Sequence, residues 1–440
     1  MVVDEATRPA PMRRLISLMR TPKSARWAKL VGITGGGQVA VQAVTFVCGL
    51  AVIRLISVEQ YAFYTLATTM LGAMGVIADG GVSSGVMVEA GKVWRDRERL
   101  AGVISTGIYL RRRLAMASMA VGFPLLAMLL LWNGASWGVS AVICVALVPV
   151  LVATLSTPIL DAPLRLHRQV WPLQSINVSA GFLRLGGLLC ALSVWPAAAA
   201  ALLVNGSSSI FANWRLRRAS VPYIERGIPV DPEAKKQIVA LVRRIMPNTI
   251  YYSFSSQLTI WLVSVFGSVV AVAQVGALSR IGLALAVAKT LVMTLLFPRF
   301  TQLAPTSPLI ARRFLQLQGC LWLLSLAVFA AVFVLADPIL WLLGPEYRSL
   351  KKELFLMVGS SLAGLAAFTS EKLSQSRGWV ISPKYFIPAA ILLQIALAAL
   401  LRPSSAAAAF TYGIFIQLGT YAAYTAFFLL RVDSLRRLKT

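Results

Sequence analysis

The sequence predicts an all-α polytopic membrane protein with about 12 transmembrane helices, arranged as two pseudo-symmetric six-helix lobes around a central cavity. The composition, the spacing of the apolar runs and the placement of the basic residues predict it. Of the 440 residues, 58% are hydrophobic and 13% are charged, and the mean hydropathy is +0.75. Soluble domains carry about 25% charged residues, so the composition excludes a soluble globular fold.

Twelve apolar runs, each separated from the next by charged residues or by Pro and Gly, follow one another along the chain. About 20 residues suffice to cross a bilayer as a helix. The seventh and eighth runs are divided because their combined length fits two spans and not one. The predicted spans are 30–54, 61–88, 113–132, 138–160, 172–194, 197–214, 245–267, 271–297, 314–336, 354–370, 385–401 and 405–430.

The basic residues fix the predicted orientation. If both termini are cytoplasmic, 34 of the 42 Lys and Arg residues fall in cytoplasmic segments and five in outer segments. Losing or adding a span in mid-chain would move every later loop to the other side and destroy this asymmetry. Topology and attraction to anionic phospholipids therefore explain the net charge of +26, and we expect no nucleic-acid partner.

The longest polar connection lies near the midpoint and divides the chain into two halves. We predict a basic cytoplasmic N-terminus over 1–29, an N-terminal lobe over 30–216 and a cytoplasmic linker over 217–240. The C-terminal lobe is predicted over 241–431, with a cytoplasmic tail over 432–440.

The two halves carry matching polar stripes, which indicates an internal repeat. In the first span the stripe follows the spacing of one helix face, and a shift of 214 positions places it on a polar stripe in the seventh span. Such side chains either hydrogen-bond neighbouring helices or line a lumen. Paired stripes favour the lumen. The stripes are Thr34, Gln38, Gln42 and Thr45 in the first span, and Asn248, Tyr252, Ser256 and Thr259 in the seventh.

Ionisable residues within spans are expensive and are functional candidates by default. Arg184 lies in the fifth span on one face with Asn177, Arg280 and Lys289 lie in the eighth, and Asp79 lies late in the second. These four side chains together carry a net charge of +2, which favours an anionic passenger. Arginine grips phosphate oxygens with two donors, whereas lysine supplies a point charge.

Structural roles remain open for each of these groups. Arg184 could pair with Asp79 or with backbone carbonyls, and Lys289 is close enough to its helix end to reach the interface. Arg280 and Lys289 lie nine residues apart, on opposite faces of a straight helix. Asp79 could titrate as a coupling-ion site or serve as a permanent counter-ion.

Enzyme chemistry is not indicated. His167 is the only histidine, which excludes the usual histidine metal clusters and His-dependent triads. The four cysteines lie in apolar runs without a CxxC pair, and we predict no metal and no cofactor. Gly35 to Gly37 lie within a membrane span, where small residues allow close helix contact rather than phosphate binding.

Two segments carry a family resemblance. Residues 53–64 read IRLISVEQYAFY, and residues 78–85 read ADGGVSSG. They resemble the "R-(L/I)-(L/I)-(S/T)-x-E-x-Y-G-x-Y" turn and the "A-D-x-G-(L/V)-(S/T)-(S/T)" run of Wzx-type polysaccharide flippases. Ala62 stands where that family has glycine. The match covers about thirty residues, while the twelve-helix, two-lobe organisation covers nearly the whole chain.

The resemblance implies a member of the multidrug/oligosaccharidyl-lipid/polysaccharide exporter superfamily in the bacterial inner membrane. It implies alternating access that carries a polyprenyl-pyrophosphate-linked glycan, an O-antigen, capsule or exopolysaccharide unit, to the periplasmic leaflet. Polysaccharide polymerase and chain-length proteins are implied partners, and a monomer is expected. The related lipid II flippases carry charged residues in the first-helix cavity, where this chain has Thr34, Gln38 and Gln42. Alternatives are a cation-coupled multidrug exporter of the same fold or a polymerase-type or ligase-type membrane enzyme.

Overall fold

A computed structural model describes residues 22–167, 169–225, 227–291, 309–377, 379 and 381–437. Within these ranges the chain forms fourteen α-helices and one 3-10 turn, with no strand. The helices are α1 Pro22–Leu55, α2 Val58–Asp79, α3 Val82–Val93, α4 Arg97–Trp132, α5 Trp137–Leu166, α6 Val170–Val194, α7 Ala198–Ser220, α8 Pro232–Phe266, α9 Val269–Leu291, α10 Leu309–Val334, α11 Ala336–Leu343, α12 Lys351–Gln375, α13 Pro383–Leu401 and α14 Ala406–Arg437; the 3-10 turn is Pro345–Tyr347.

The predicted all-α membrane fold is confirmed. Each predicted span overlaps one long helix, except that the second span covers both α2 and α3 and that residues 292–297 of the eighth lie outside the described residues. Among the described residues, eight helices are long and apolar enough to cross a bilayer, and Val39–Leu55 and Val269–Gly282 are shorter apolar segments of α1 and α9. The division predicted between the seventh and eighth spans falls at Gly267, where α8 ends.

The predicted second span, 61–88, is wrong as a single helix, because it breaks after Asp79. Gly80 and Gly81 both have positive φ, +50° and +97°, which glycine adopts without the steric cost of a side chain. The Gly80 amide caps α2 by donating to the Val76 carbonyl, and α3 begins at Val82.

Helices α1 to α7 pack together, as do α8 to α14. In the first group, α5 lies along α7 and α1 lies along α6; in the second, α12 lies along α14. Helices α7 and α8 both extend into the predicted linker, so the non-helical connection is shorter, 221–231. Helix α8 packs against both groups, because it contacts α2, α3 and α4 as well as α9, α13 and α14.

The groups meet at two places, which we name by the predicted topology. At the inner seam, near the basic loops, α3 packs closely against α8. A Cβ added to Gly85 of α3 would lie only 3.0 Å from the Ile238 side chain. The Thr106 hydroxyl of α4 accepts the Asp231 amide at 2.9 Å at the same seam. At the outer seam, α2 approaches α9 so closely that a Cβ added to Gly276 would overlap the Thr65 hydroxyl.

One buried ion pair joins α2 to α4 beneath the inner seam. Arg111 Nη2 lies 3.0 Å from Asp79 Oδ1, and the Arg111 side chain is only 6% exposed. Arg111 also donates to the Leu155 carbonyl of α5. Asp79 Oδ1 accepts the Ser83 hydroxyl at 2.5 Å, which ties α3 to the pair. Arg111 therefore connects four helices.

Arg111→Ala should destabilise the protein by about 3 kcal/mol, because it leaves the Asp79 carboxylate without its guanidinium in a partly buried position. Arg112→Ala removes an exposed arginine at the next position and is the matched control. Denaturant unfolding in detergent, followed by tryptophan fluorescence, measures the difference. Equal midpoints for the two variants would contradict the prediction.

Candidate functional site

The polar face of α6 packs against α1. Arg184 Nη2 donates to the Thr45 hydroxyl at 3.0 Å. Glycines let the two helices approach closely further toward the inner side. A Cβ added to Gly181 of α6 would lie only 3.2 Å from Val44, and a Cβ added to Gly37 of α1 only 2.8 Å from Gln174. Gly37 therefore permits the close helix contact that the sequence predicts for the triple glycine.

Arg184 has an N–H donor that forms no hydrogen bond within the described residues. Its side chain is half-buried, and its Nε is buried without a hydrogen-bond partner. Within the described part of the chain, no carboxylate lies within 4.0 Å of it. The alternative that Arg184 pairs with Asp79 is not realised, since Asp79 pairs with Arg111.

Arg280 reaches across from the second helix group. Its aliphatic chain packs against α1 at Gly49, where an added Cβ would lie 3.5 Å from Arg280 Cδ. Its guanidinium carbon lies 5.9 Å from the centre of the Tyr64 ring on α2. Tyr61, also on α2, is another electrostatic neighbour of the guanidinium. Arg280 thus lies in the outer seam beside the aromatic ring of Tyr64, with no ion pair among the described residues.

Arg184 and Arg280 converge on one face of α1. Arg184 contacts Thr45 and Arg280 contacts Gly49. Residues four apart share a helix face and are separated by about 6 Å along the axis. Two arginines from opposite lobes therefore reach neighbouring positions on α1, Arg184 through its guanidinium group and Arg280 through its aliphatic chain, with the Arg280 guanidinium beside Tyr64. Together they offer paired donors to an anion with two charged centres.

The polar stripe of the seventh span lies on α8 in a different environment. Asn248 is half-buried and Tyr252 is 45% exposed. Tyr252 lies beside Tyr251, with ring centres 5.2 Å apart, and its other neighbours are Tyr424 and the Glu371 carboxylate. This is an aromatic and acidic surface, which differs in chemistry from the arginine pair.

The other predicted site residues have mixed positions. Gln42 is exposed and Asn177 is half-buried. The side chains of Gln38 and Lys289 lie outside the described residues, so the proposed sharing of a cavity by Arg280 and Lys289 stays a prediction. Asp79 has the geometry of a counter-ion, because it binds Arg111 and the Ser83 hydroxyl together.

Three charged groups were missed by sequence reasoning. Arg111 was counted among the basic residues of the cytoplasmic segment before the third span, whereas the structure places it in α4 with its side chain buried. Asp161 is buried in α5 and pairs with Arg165 at 3.1 Å, a partnership that the four-residue spacing could have revealed. Glu371 follows an apolar run, and no pattern in the sequence links it to Tyr252 or Tyr424.

No metal cluster of His, Cys, Asp and Glu forms among the described residues. The convergent groups at α1 are cationic and aromatic and carry no carboxylate, so they suit an anion rather than a metal ion.

No protein-family model and no curated protein sequence matches this chain. Solved structures do. A multidrug resistance MATE family transporter of the MOP superfamily, in its inward-facing conformation, has a TM-score of 0.68 at 15% identity, covering 91% of this chain and 96% of that chain. The lipid II flippase MurJ, in an inward closed conformation, has a TM-score of 0.65 at 12% identity, covering 89% and 86%.

A third structure is a MOP superfamily transporter from Pyrococcus furiosus, described by a binding pocket of reverse polarity that suggests a different function. Its TM-score is 0.53 at 14% identity, and the match covers 96% of this chain and 98% of that chain. The chain therefore has the transporter fold of MATE proteins and MurJ. Likeness at these identities shows the fold alone.

Purified protein should bind inorganic pyrophosphate, and Arg184→Ala and Arg280→Ala should each weaken this binding at least about tenfold, because each removes a fork of charged donors. Arg184→Lys should give an intermediate loss, since it keeps the charge but not the fork. Thermophoresis measures the affinity. Arg348→Ala, an exposed arginine on the outer side, is the control; loss of binding there as well would contradict the assignment.

Proposed function

We propose that this protein is a flippase that moves a polyprenyl-pyrophosphate-linked oligosaccharide from the cytoplasmic to the periplasmic leaflet of a bacterial inner membrane. The single observation that carries the proposal is the convergence of Arg184 and Arg280 on one face of α1 without a carboxylate partner among the described residues. A cation at membrane depth is costly unless a partner compensates it. A diphosphate supplies that partner.

The chemistry of the pair fits a diphosphate better than a single anion. Two guanidinium groups whose contacts on α1 lie about one helical turn apart can each hold one phosphoryl group by two hydrogen bonds. The Thr45 hydroxyl supplies a further polar contact beside Arg184, and the Tyr64 ring lies 5.9 Å from the Arg280 guanidinium carbon. Exposed polar groups such as Gln42 are available to sugar hydroxyls.

The fold supports a transporter but does not select the passenger. It is shared by MATE transporters, by MurJ and by a MOP transporter described as having a pocket of reverse polarity. The polarity of the site must therefore select the substrate. The resemblance of residues 53–64 and 78–85 to Wzx-type flippases is a second, independent support for a lipid-linked oligosaccharide.

A second candidate, a cation-coupled exporter of organic cations, is favoured by the surface around Tyr252. Glu371 acts electrostatically on Tyr252 and Tyr424, and Tyr251 stacks edge-on with Tyr252. The carboxylate pairs with Lys372 at 3.5 Å and accepts the Gln375 amide at 2.7 Å, so an organic cation would take the place of Lys372 and gain contact with the aromatic faces. The two candidates thus depend on different residues, which makes them separable.

Arg184→Ala should abolish translocation of a fluorescent polyprenyl-pyrophosphate oligosaccharide in proteoliposomes, measured by reduction of the label with an impermeant reagent. Glu371→Gln should leave it within about twofold of the unmodified protein. The reason is that only the arginine contacts the phosphates in the proposed mode. In cells, surface glycan should disappear with Arg184→Ala at normal protein abundance.

Arg348→Ala serves as the matched control for the loss of a positive charge. Full glycan display with Arg184→Ala would contradict the flippase proposal. Loss of drug efflux with Glu371→Gln, together with unchanged glycan display in every variant, would instead support the exporter.

A further inference from the structure

Arg54, the first charged residue of the Wzx-like motif, joins the two lobes at the outer seam. It lies in the last turn of α1. Its Nε donates to the Leu342 carbonyl at 2.9 Å, and its Nη2 donates to the Trp341 carbonyl at 2.6 Å. Its guanidinium carbon also lies 5.0 Å from the centre of the Trp341 ring. The acceptors are carbonyls in the last turn of α11, where the helix carries partial negative charge, and the Trp341 carbonyl also accepts the Gly344 amide at 3.2 Å.

A second polar contact crosses the same seam. The Asn133 side chain, at the C-terminal cap of α4, donates to the Ser264 hydroxyl at 2.7 Å and to the Ser264 carbonyl at 3.2 Å. Both residues are buried. Ser264 lies in the last turn of α8. The same amide donates to the Leu129 carbonyl of its own helix at 2.8 Å, and Ser264 supplies its acceptors across the seam.

The two contacts are related by the internal repeat. The shift of 214 positions that aligns the polar stripes carries Arg54 to Ser268, beside the end of α8, and carries Asn133 to Tyr347, just after α11. In each contact, therefore, the end of a lobe's first span meets the end of the other lobe's third span. A chance surface contact would not be repeated by the pseudo-twofold relation.

We infer that these contacts are a symmetric pair of latches that hold the outer ends of the two lobes together and must both break before the outer side opens. Between them lies the tight contact of Thr65 with Gly276. Helix ends can separate only after their hydrogen bonds to the other lobe have been exchanged for water. The inference concerns the conformational equilibrium and holds whether the passenger is a glycan lipid or an organic cation.

The latches differ in how easily water replaces them. The Arg54 contact is exposed, so water competes directly for its donors and acceptors. The Asn133 contact is buried and breaks only when the seam parts. Arg54 is therefore expected to release first, and Asn133 to set the stability of the closed seam.

The test uses two reporter cysteines in the full-length protein in detergent. Thr65→Cys reports on the outer seam and Ile238→Cys on the inner seam, since both positions are buried. Maleimide labelling is quantified on the peptide that contains each reporter, so the native cysteines remain in place. Arg54→Ala or Asn133→Ala should raise labelling at position 65 about tenfold and leave position 238 unchanged. The double variant should exceed either single variant.

Arg348→Ala, an exposed arginine close to α11 in sequence, is the control and should change neither reporter. Unchanged labelling at position 65 in the double variant would overturn the inference. If Arg54→Ala raises labelling at both reporters, the protein has loosened as a whole, and Arg54→Lys then decides, because it keeps the charge but loses one of two hydrogen bonds. An increase with Arg54→Lys at position 65 alone supports the latch; any other pattern contradicts it.

Discussion

The partner that each arginine finds governs this structure, because a guanidinium group that leaves water is costly unless another group compensates it. Arg111 is compensated by a carboxylate and becomes a structural centre that ties four helices. Arg54 is compensated by the carbonyls at a helix end. Arg184 and Arg280 are left with hydroxyls and aromatic rings, which stabilise a cation only weakly. Only the last two have capacity for an anion, so the partner of each arginine distinguishes structure from function.

Helix α1 connects these roles because each side of it meets a different part of the protein. It packs along α6 in its own lobe, contacts α9 through Gly49 and contacts α11 through Arg54. Thr45, Gly49 and Arg54 occupy the outer half of the helix. Any motion that separates the lobes at the outer seam must therefore move α1 relative to Arg280, while the bond between Thr45 and Arg184 can persist within one lobe.

The fold could be predicted almost completely from the sequence, because apolar length and the asymmetry of basic loops are direct consequences of the bilayer. The break at Gly80 and Gly81 was missed, since the apolar run continues through it. The site was predicted in part: Arg184 and Arg280 were identified by depth, and the face of Arg184 by helical spacing. The pairing of Asp79 with Arg111 depends on contact between α2 and α4, and the proximity of Glu371 to Tyr252 on contact between α12 and α8. No spacing within one helix reports such contacts between helices.

The latches and the arginine pair give the proposed transport cycle a direction. The pair is complete only while the outer seam is closed, because Arg280 reaches Gly49 across that seam. Opening the outer side would withdraw Arg280 from α1 and leave the diphosphate with Arg184 alone. The passenger would then be bound by one guanidinium group instead of two. Its affinity would fall when the site opens to the periplasmic side, which is the step at which the passenger must be released. Under the proposed function, opening and release are thus one event, since the interaction that binds the passenger also spans the seam that must open.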